Sequence, residues 1–255
     1  MDHPTTAASG DPSPRTGSSA RPSSPTGLRQ RSGLSKGSKA LKRRQRRAAK
    51  LFKFDRELGV RYVAGCDEAG RGSLAGPLVA AAVLIDYGSL SMRDRRALGE
   101  LDDSKKRSPE ERQVLYPAVI RAASRVAVTV RCVRGIDARG LHVTNCQALA
   151  RSLERVAHPR GVCLVDGFRL PQCRVEHRQV IDGDARSAAI AAASVIAKVT
   201  RDRYMERSDE TYPGFGFALN AGYSTPEHRD AIIAQGPSEL HRRSFASIAY
   251  TQLAL

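Results

Sequence analysis

Two adjacent carboxylates, Asp67 and Glu68, end an apolar stretch that begins at Tyr62, and this pair limits the possible folds of the chain more than any other feature. A second apolar segment follows at 77–85, so the two segments are predicted to be neighbouring strands joined by a glycine-rich turn. Buried acids are costly unless their charge is compensated, and a divalent cation that prefers oxygen ligands would compensate them. The alternative is a hairpin turn with solvated acids.

Glycines surround the acidic pair and leave bare backbone that a polymer can approach closely. They are Gly65, Gly70, Gly72 and Gly76. A strand pair that carries acids and an open backbone at one end is therefore predicted to be a binding site.

Two further acids stand where the chain is expected to change direction. Asp166 follows the short apolar strand 161–165, and ligands of open α/β sheets bind at the carboxyl ends of strands. Its alternative role is that of a turn aspartate. Asp184 precedes an alanine-rich segment that is predicted to be helical, so it is either a helix N-cap or a ligand, or both. Asp182 competes with Asp184, but we place it in the connecting loop.

The chemistry of these acids favours a hard cation. Four carboxylates come from three separated segments, and no cysteine or histidine cluster accompanies them. Such a donor set suits Mg²⁺ or Mn²⁺ and does not suit zinc. Two such ions about 3.5–4 Å apart form the usual site for in-line attack on a phosphodiester. The pattern therefore favours a metal-dependent nuclease.

The positive charge of the chain is concentrated at its beginning. The net charge is +16, and residues 1–53 hold 13 Lys and Arg against 2 acids. This excess indicates a polyanionic partner, although a solubilising tail would show the same composition. Residues 1–55, rich in Ser, Pro and Gly, are predicted to be a disordered basic tail with a short helix from Lys42 to Phe54. Residues 56–255 are predicted to be the catalytic domain, ordered from about Tyr62.

Bulk features limit the cellular setting. No run of about 18 apolar residues is present, so no membrane span is expected, and the N-terminus lacks the apolar core of a signal peptide. The five cysteines are scattered and form no Cys-x-x-Cys pair, which favours a reducing cytoplasm. Nothing in the sequence indicates an obligate protein partner, so we expect a monomer.

The order of elements predicts an α/β domain with a mixed sheet and a helical C-terminal part. The predicted strands are 61–67, 77–86, 125–133, 161–166 and 175–181. The predicted helices are 109–123, 136–157, 185–205 and 226–235, the last with Thr225 as its cap.

Beyond these patterns, the sequence resembles the type 2 ribonuclease H (ribonuclease HII) family over about residues 61–247. The resemblance rests on several runs in order. They are Gly65-Cys66-Asp67-Glu68-Ala69-Gly70-Arg71-Gly72, Leu101-Asp102-Asp103-Ser104-Lys105-Lys106, Val165-Asp166-Gly167, Gly183-Asp184-Ala185-Arg186-Ser187, Tyr212-Pro213-Gly214-Phe215-Gly216-Phe217, Gly222-Tyr223-Ser224-Thr225 and His241-Arg242-Arg243-Ser244-Phe245. It implies a ribonuclease H-like mixed sheet flanked by helices, with a helical C-terminal extension.

The resemblance also implies an activity and a substrate. Such enzymes hydrolyse the RNA strand of RNA–DNA hybrids and incise 5′ of a single ribonucleotide in duplex DNA, leaving 3′-hydroxyl and 5′-phosphate ends. By motif, Asp67, Glu68, Asp166 and Asp184 would bind Mg²⁺ or Mn²⁺. Gly70, Arg71 and Gly72 would contact the 2′-hydroxyl and the backbone, and Tyr223 would stack on the next sugar.

Several basic residues have two readings each: Lys105, Lys106, Lys198, Arg201 and Arg242 either bind phosphates or form a solvated surface. Two alternative functions also stay open. A type 3 ribonuclease H usually carries Gly-Lys-Gly at 70–72 and a folded N-terminal domain. A non-catalytic nucleic-acid-binding protein would gain nothing from acids placed next to phosphates.

Overall fold

A five-stranded sheet in the order β3-β2-β1-β4-β5 forms the centre of the molecule. The computed structural model describes residues 31–101 and 107–253. The strands are β1 (Tyr62–Ala69), β2 (Leu78–Asp86), β3 (Arg125–Arg131), β4 (Gly161–Asp166) and β5 (Arg178–Val180). β2 pairs antiparallel with β1 and β3, whereas β4 pairs parallel with β1 and β5. The predicted mixed sheet is therefore confirmed.

Helices cover both faces of the sheet and form the C-terminal part. They are α1 (Arg31–Glu57), α2 (Met92–Ala97), α3 (Pro109–Ala122), α4 (Val133–Arg139), α5 (Leu141–Val156), α6 (Ala188–Thr211), α7 (Phe217–Asn220), α8 (Pro226–Gln235) and α9 (Ile248–Gln252). The predicted helix 136–157 is two helices, because Gly140 takes a positive φ of 80° between α4 and α5. None of the helices within the described residues is long and apolar enough to cross a membrane.

The side chains of β1 alternate between two apolar layers, as the period of a strand requires. Val63 belongs to the core between the sheet and α6, whereas Ala64 and Cys66 belong to the core between the sheet and α5. Gly65 faces α6 so closely that a Cβ there would overlap the backbone of α6 at Ala189. The same alternation directs Asp67 toward α6 and Glu68 toward the opposite face.

The first helix corrects the predicted boundary of the basic tail. α1 runs from Arg31 to Glu57, so the described part of the predicted tail is helical, and ordered structure begins before Tyr62. Residues 1–30 lie outside the described residues. Ala48, Leu51, Phe52 and Asp55 are buried. Their spacing of i, i+3, i+4 and i+7 is that of one buried face of a helix. The prediction of a disordered tail overlooked this spacing because it relied on the overall Ser, Pro and Gly content.

Asp55 joins α1 to the first turn of α6. Its Oδ2 accepts hydrogen bonds from the Ala189 amide at 2.9 Å and from the Tyr87 hydroxyl at 2.8 Å. Burial raises the pKa of this carboxyl to about 6, although these hydrogen bonds and one from Ser187 lower it. The folded state therefore favours the protonated form of Asp55. The stabilisation that this protonated carboxyl provides is fully present below about pH 4 and is lost as the pH rises through about 6.

Asp55→Asn is expected to change the pH dependence of stability. Between pH 4 and pH 7 the unfolding free energy of the wild type should fall relative to that of the variant by up to about 3 kcal/mol, since only the aspartate must ionise in the buried site. Denaturant unfolding at several pH values measures this difference. Asp230→Asn, at an exposed position of α8, is the matched control. A pH-independent difference for Asp55→Asn would contradict the assignment.

Candidate active site

Asp67 and Asp166 lie side by side at the carboxyl ends of β1 and β4. The two strands are parallel and pair Cys66 with Val165, so the following residue of each strand is an aspartate. Leu164 packs in the core on the α6 side, and Asp166, two residues later, points to the same face. Asp67 is 5% exposed and accepts a hydrogen bond from the Glu68 amide at 2.7 Å. The two predicted site residues are therefore neighbours.

The electrostatics of Asp67 show how crowded the negative charge is. Burial raises the pKa of the Asp67 carboxyl well above its usual range, and the nearby charges of Glu68 and Asp166 raise it further. Hydrogen bonds from the Ser194 side chain and the Glu68 amide act in the opposite direction. Sequence reasoning assigned no role to Ser194, although this residue lies within an alanine-rich run on α6 that resembles the ribonuclease HII family.

Glu68 approaches the same edge from the other face of the sheet. Its Oε1 lies 3.5 Å from Nη1 of Arg71, whose side chain is 39% exposed. The Arg71 guanidinium also lies 4.5 Å from the ring centroid of Phe168, just after β4. Phe168 was not predicted as a site residue, since a single aromatic residue after a strand carries no signal. The arginine is therefore held in place while it remains accessible from outside.

Asp184 lies in a short 3₁₀ turn, Gly183–Ala185, and is buried. The Gly183 amide donates a 2.6 Å hydrogen bond to Oδ1 of Asp166, which ties this turn to the strand ends. Ser187 is the N-cap of α6, because its hydroxyl accepts from the Ile190 amide. The N-cap alternative for Asp184 is therefore wrong, and the long helix begins at Ala188. Asp182 is exposed, as a loop residue should be.

The donor set fits a divalent cation in chemical type. The carboxylates of Asp67, Glu68 and Asp166 lie near the carboxyl ends of β1 and β4, where they repel one another. A hard cation bound between them would reduce this repulsion. Among the residues that the structure describes, no three Asp, Glu, His or Cys side chains are close enough to form a ready-made metal site.

Two buried arginines support the turn that follows the acidic pair. Arg201 donates to the carbonyl oxygens of Ala75, Pro77 and Ala221, and Arg242 donates to those of Arg71 and Gly76. Both side chains are fully buried. The two readings offered for Arg201 and Arg242, phosphate contact or solvated surface, are therefore both wrong. Their guanidinium groups bind backbone oxygens and thereby hold the loop in one shape.

A chain of neutral histidines positions the backbone of Tyr223. Nδ1 of His228 lies 2.8 Å from the Tyr223 carbonyl oxygen, and Nε2 of His228 lies 3.1 Å from Nε2 of His241. Nδ1 of His241 accepts from the Ser238 amide at 2.9 Å. Burial lowers the pKa of both histidines, that of His241 to about 4, so both are neutral at pH 7. His241 therefore donates to His228, which donates to Tyr223.

The Tyr223 ring lies beside two cations of α6. Nζ of Lys198 is 5.6 Å and the Arg201 guanidinium 5.4 Å from the ring centroid. Lys198 also pairs with Asp202 at 2.6 Å. The side chains of Tyr223 and Lys198 are partly exposed, so both remain available to a ligand. Lys105 and Lys106 lie outside the described residues.

Solved structures share this architecture. The ribonuclease H2 of Pyrococcus horikoshii OT3 superposes with a TM-score of 0.62 and 28% identity, over 75% of this chain and 96% of that one. The Mn²⁺ complex of Bst-RNase HIII superposes with a TM-score of 0.60 over 91% of this chain and 76% of that one, and its 21% identity shows the fold alone. The fold and the acidic sheet edge define a ribonuclease H-like enzyme.

Sequence comparison narrows this class. The family model described as Ribonuclease HII matches residues 64–248. The ribonuclease HII of Geobacillus kaustophilus (strain HTA426) is 44% identical over 207 residues, which cover 80% of this chain and 76% of the relative. The chain therefore belongs to the ribonuclease HII family and is an RNase H-type endoribonuclease. Enzymes of this kind depend on divalent metal ions and act on RNA–DNA hybrids.

Proposed function

We propose that this enzyme incises duplex DNA 5′ of a single embedded ribonucleotide, as well as the RNA strand of hybrids, and leaves 3′-hydroxyl and 5′-phosphate ends. The observation that carries the proposal is the pairing of Asp67 and Asp166 at adjacent carboxyl ends of parallel strands. Glu68 and the turn that bears Asp184 lie at the same edge. A non-catalytic binder has no use for such a concentration of negative charge next to phosphates.

Asp67, Glu68, Asp166 and Asp184 are the residues that would hold the metal, and we propose Mg²⁺ or Mn²⁺. When bound, such ions activate water for in-line attack on a phosphodiester and offset charge on the leaving oxygen. The chain itself supplies the positioning. The Ser194 hydrogen bond orients Asp67, and the Gly183 amide orients Asp166.

We propose that the turn at residues 70–72 recognises the ribose of the substrate. Because Arg242 holds the Arg71 carbonyl from inside, the turn presents a fixed backbone to a ligand. Gly72 is exposed, and a Cβ there would meet nothing within 4 Å. A 2′-hydroxyl distinguishes RNA from DNA, and bare backbone amides can approach it without a side chain in the way.

Tyr223 is proposed to stack on the sugar that follows the ribonucleotide, held there by the histidine chain behind it. Lys198 beside its ring, together with Lys105 and Lys106, is proposed to contact phosphates. A monomeric state and a cytoplasmic location remain predictions, the latter supported by five free cysteines.

A defined duplex tests the proposed function. The wild-type enzyme, with Mg²⁺ or Mn²⁺, is incubated with a DNA duplex that contains one ribonucleotide, with an all-DNA duplex and with a long hybrid. We expect a single cut 5′ of the ribonucleotide, cleavage of the hybrid and no cleavage of the DNA. Cleavage of the hybrid alone would refute the single-ribonucleotide activity, and binding without any cleavage would favour a non-catalytic role.

A further inference from the structure

The exposed side of α1 is basic over residues 42–53, and Lys53 at its C-terminal end pairs with Glu57 at 3.5 Å. Residues 42–53 contain seven Lys and Arg and no acid. At about 100° per residue, six of them fall within a sector of about 140° on the helix surface. These six, named here the basic face of α1, are Lys42, Arg43, Arg46, Arg47, Lys50 and Lys53, and all six are exposed. The buried residues of α1 occupy the opposite side of the helix.

The basic face is held rigidly, because α1 is docked along that opposite side. Leu51 and Phe52 enter the core shared with α6, and the Phe52 ring packs edge-on against Tyr87. Asp55 accepts a hydrogen bond from the Ala189 amide in the first turn of α6. A surface that is ordered before binding loses less conformational entropy when a ligand arrives.

The middle of α1 is also held by an ion pair to another helix. Arg44, the basic residue that turns inward, pairs with Glu111 at 2.6 Å and lies 3.7 Å from Glu100. Arg107 contacts the same two acids. Because Glu111 belongs to α3, these contacts fix the middle of α1 against α3.

We propose that the basic face of α1 binds the phosphate backbone of the duplex, outside the cleaved position and without regard to base or sugar. The partner follows from charge complementarity: the face spans about 17 Å, and a duplex presents one negative charge per about 1.7 Å of its axis. The family model begins at residue 64, so this surface lies outside the residues that the model matches. This proposal rests on the proposed function in one respect: the proposed substrate is the duplex that the basic face would bind.

Three substitutions on one row of the helix test the proposal: Lys42→Gln, Arg46→Gln and Lys50→Gln, combined. The matched control combines Arg151→Gln, Arg155→Gln and Arg160→Gln, which are exposed positions in and after α5, on the opposite face of the sheet. Binding to a ribonucleotide-containing duplex and to an all-DNA duplex is measured by fluorescence anisotropy in chelator at several salt concentrations. Circular dichroism and unfolding temperature confirm that each variant folds as the wild type does.

The α1 triple variant is expected to lower the slope of log Kd against log salt by about 2 to 3. We expect at least about a tenfold loss of affinity at low salt for both duplexes, and a higher KM with kcat and cut position unchanged. The control variant should lose clearly less slope. A second variant, Lys42→Arg with Lys50→Arg, keeps the charge and should bind as the wild type does.

Three outcomes would overturn the proposal: equal losses in the α1 and control variants, a loss confined to the ribonucleotide-containing duplex, or a fall in kcat at saturating substrate. Failure of the proposed function is distinguishable from these outcomes. In that case the wild type would not cut the ribonucleotide-containing duplex at all, while its salt-dependent binding and the contrast between the two triple variants would still be measurable.

Discussion

Asp67→Asn is expected to lower turnover about 10³-fold, which corresponds to about 4 kcal/mol in the activation barrier. Asp67 lies at the centre of the acidic edge, where Glu68 and Asp166 both act on its charge. An amide in its place removes one negative donor from the proposed metal site and leaves the strand pairing of β1 unchanged. Turnover is measured with Mg²⁺ on the duplex that contains one ribonucleotide.

Binding should respond to Asp67→Asn in the opposite way. In chelator, the variant is expected to bind the duplex as tightly as the wild type or more tightly, because a charge that repels phosphate has been removed. Its stability should not fall, since burial disfavours the ionised aspartate. Asp230→Asn on α8 removes the same charge from an exposed position and should leave turnover unchanged. Turnover of Asp67→Asn within tenfold of the wild type would falsify the role given to this residue.

Gly65→Ala is expected to cost about 3 kcal/mol or more in unfolding free energy, or to prevent folding. The new methyl group would overlap the Ala189 carbonyl carbon and the Ile190 amide nitrogen, which are backbone atoms of α6 that cannot turn aside. Relief would require β1 and α6 to separate, and these two elements carry Asp67 and Ser194. Denaturant unfolding measures the loss, and activity should fall with it.

Gly72→Ala is the matched control for this substitution. Its Cβ would meet nothing within 4 Å, so its stability should stay within about 1 kcal/mol of the wild type. Because Gly72 belongs to the turn that is proposed to recognise the ribose, the activity of the Gly72→Ala enzyme on the single ribonucleotide should still decrease. A stable Gly65→Ala protein would show that the close approach of α6 to β1 is not required.

The sheet and its acids were predictable because they depend on local signals. Apolar runs of strand length and a glycine-rich turn predicted β1 and β2, and Thr225 with Pro226 predicted the start of α8. An acid directly after an apolar run predicted the position of Asp166 at a strand end. The break at Gly140 was missed, because an apolar pattern continues across a glycine that only its backbone conformation reveals.

Contacts between distant segments were not predictable from residue patterns. Arg201 has the spacing of a surface residue on α6, but two of the three carbonyl oxygens that it binds belong to residues more than a hundred positions earlier. Asp184 sits before an alanine-rich run, and only the observed start of α6 at Ala188 shows that Ser187 caps the helix. Composition classed the first 55 residues as a tail, whereas Leu51 and Phe52 dock on α6.

Residue type and local order thus define the chemistry of this chain: acids at strand ends, an open glycine turn and a surplus of positive charge. These are properties of short segments, so they can be read without a fold. Tertiary structure alone decides which acids become neighbours, which arginines are buried and which side of α1 faces solvent. The reason is physical: burial and charge interaction depend on separation in space, and only the packing of β1, β4 and α6 sets that separation.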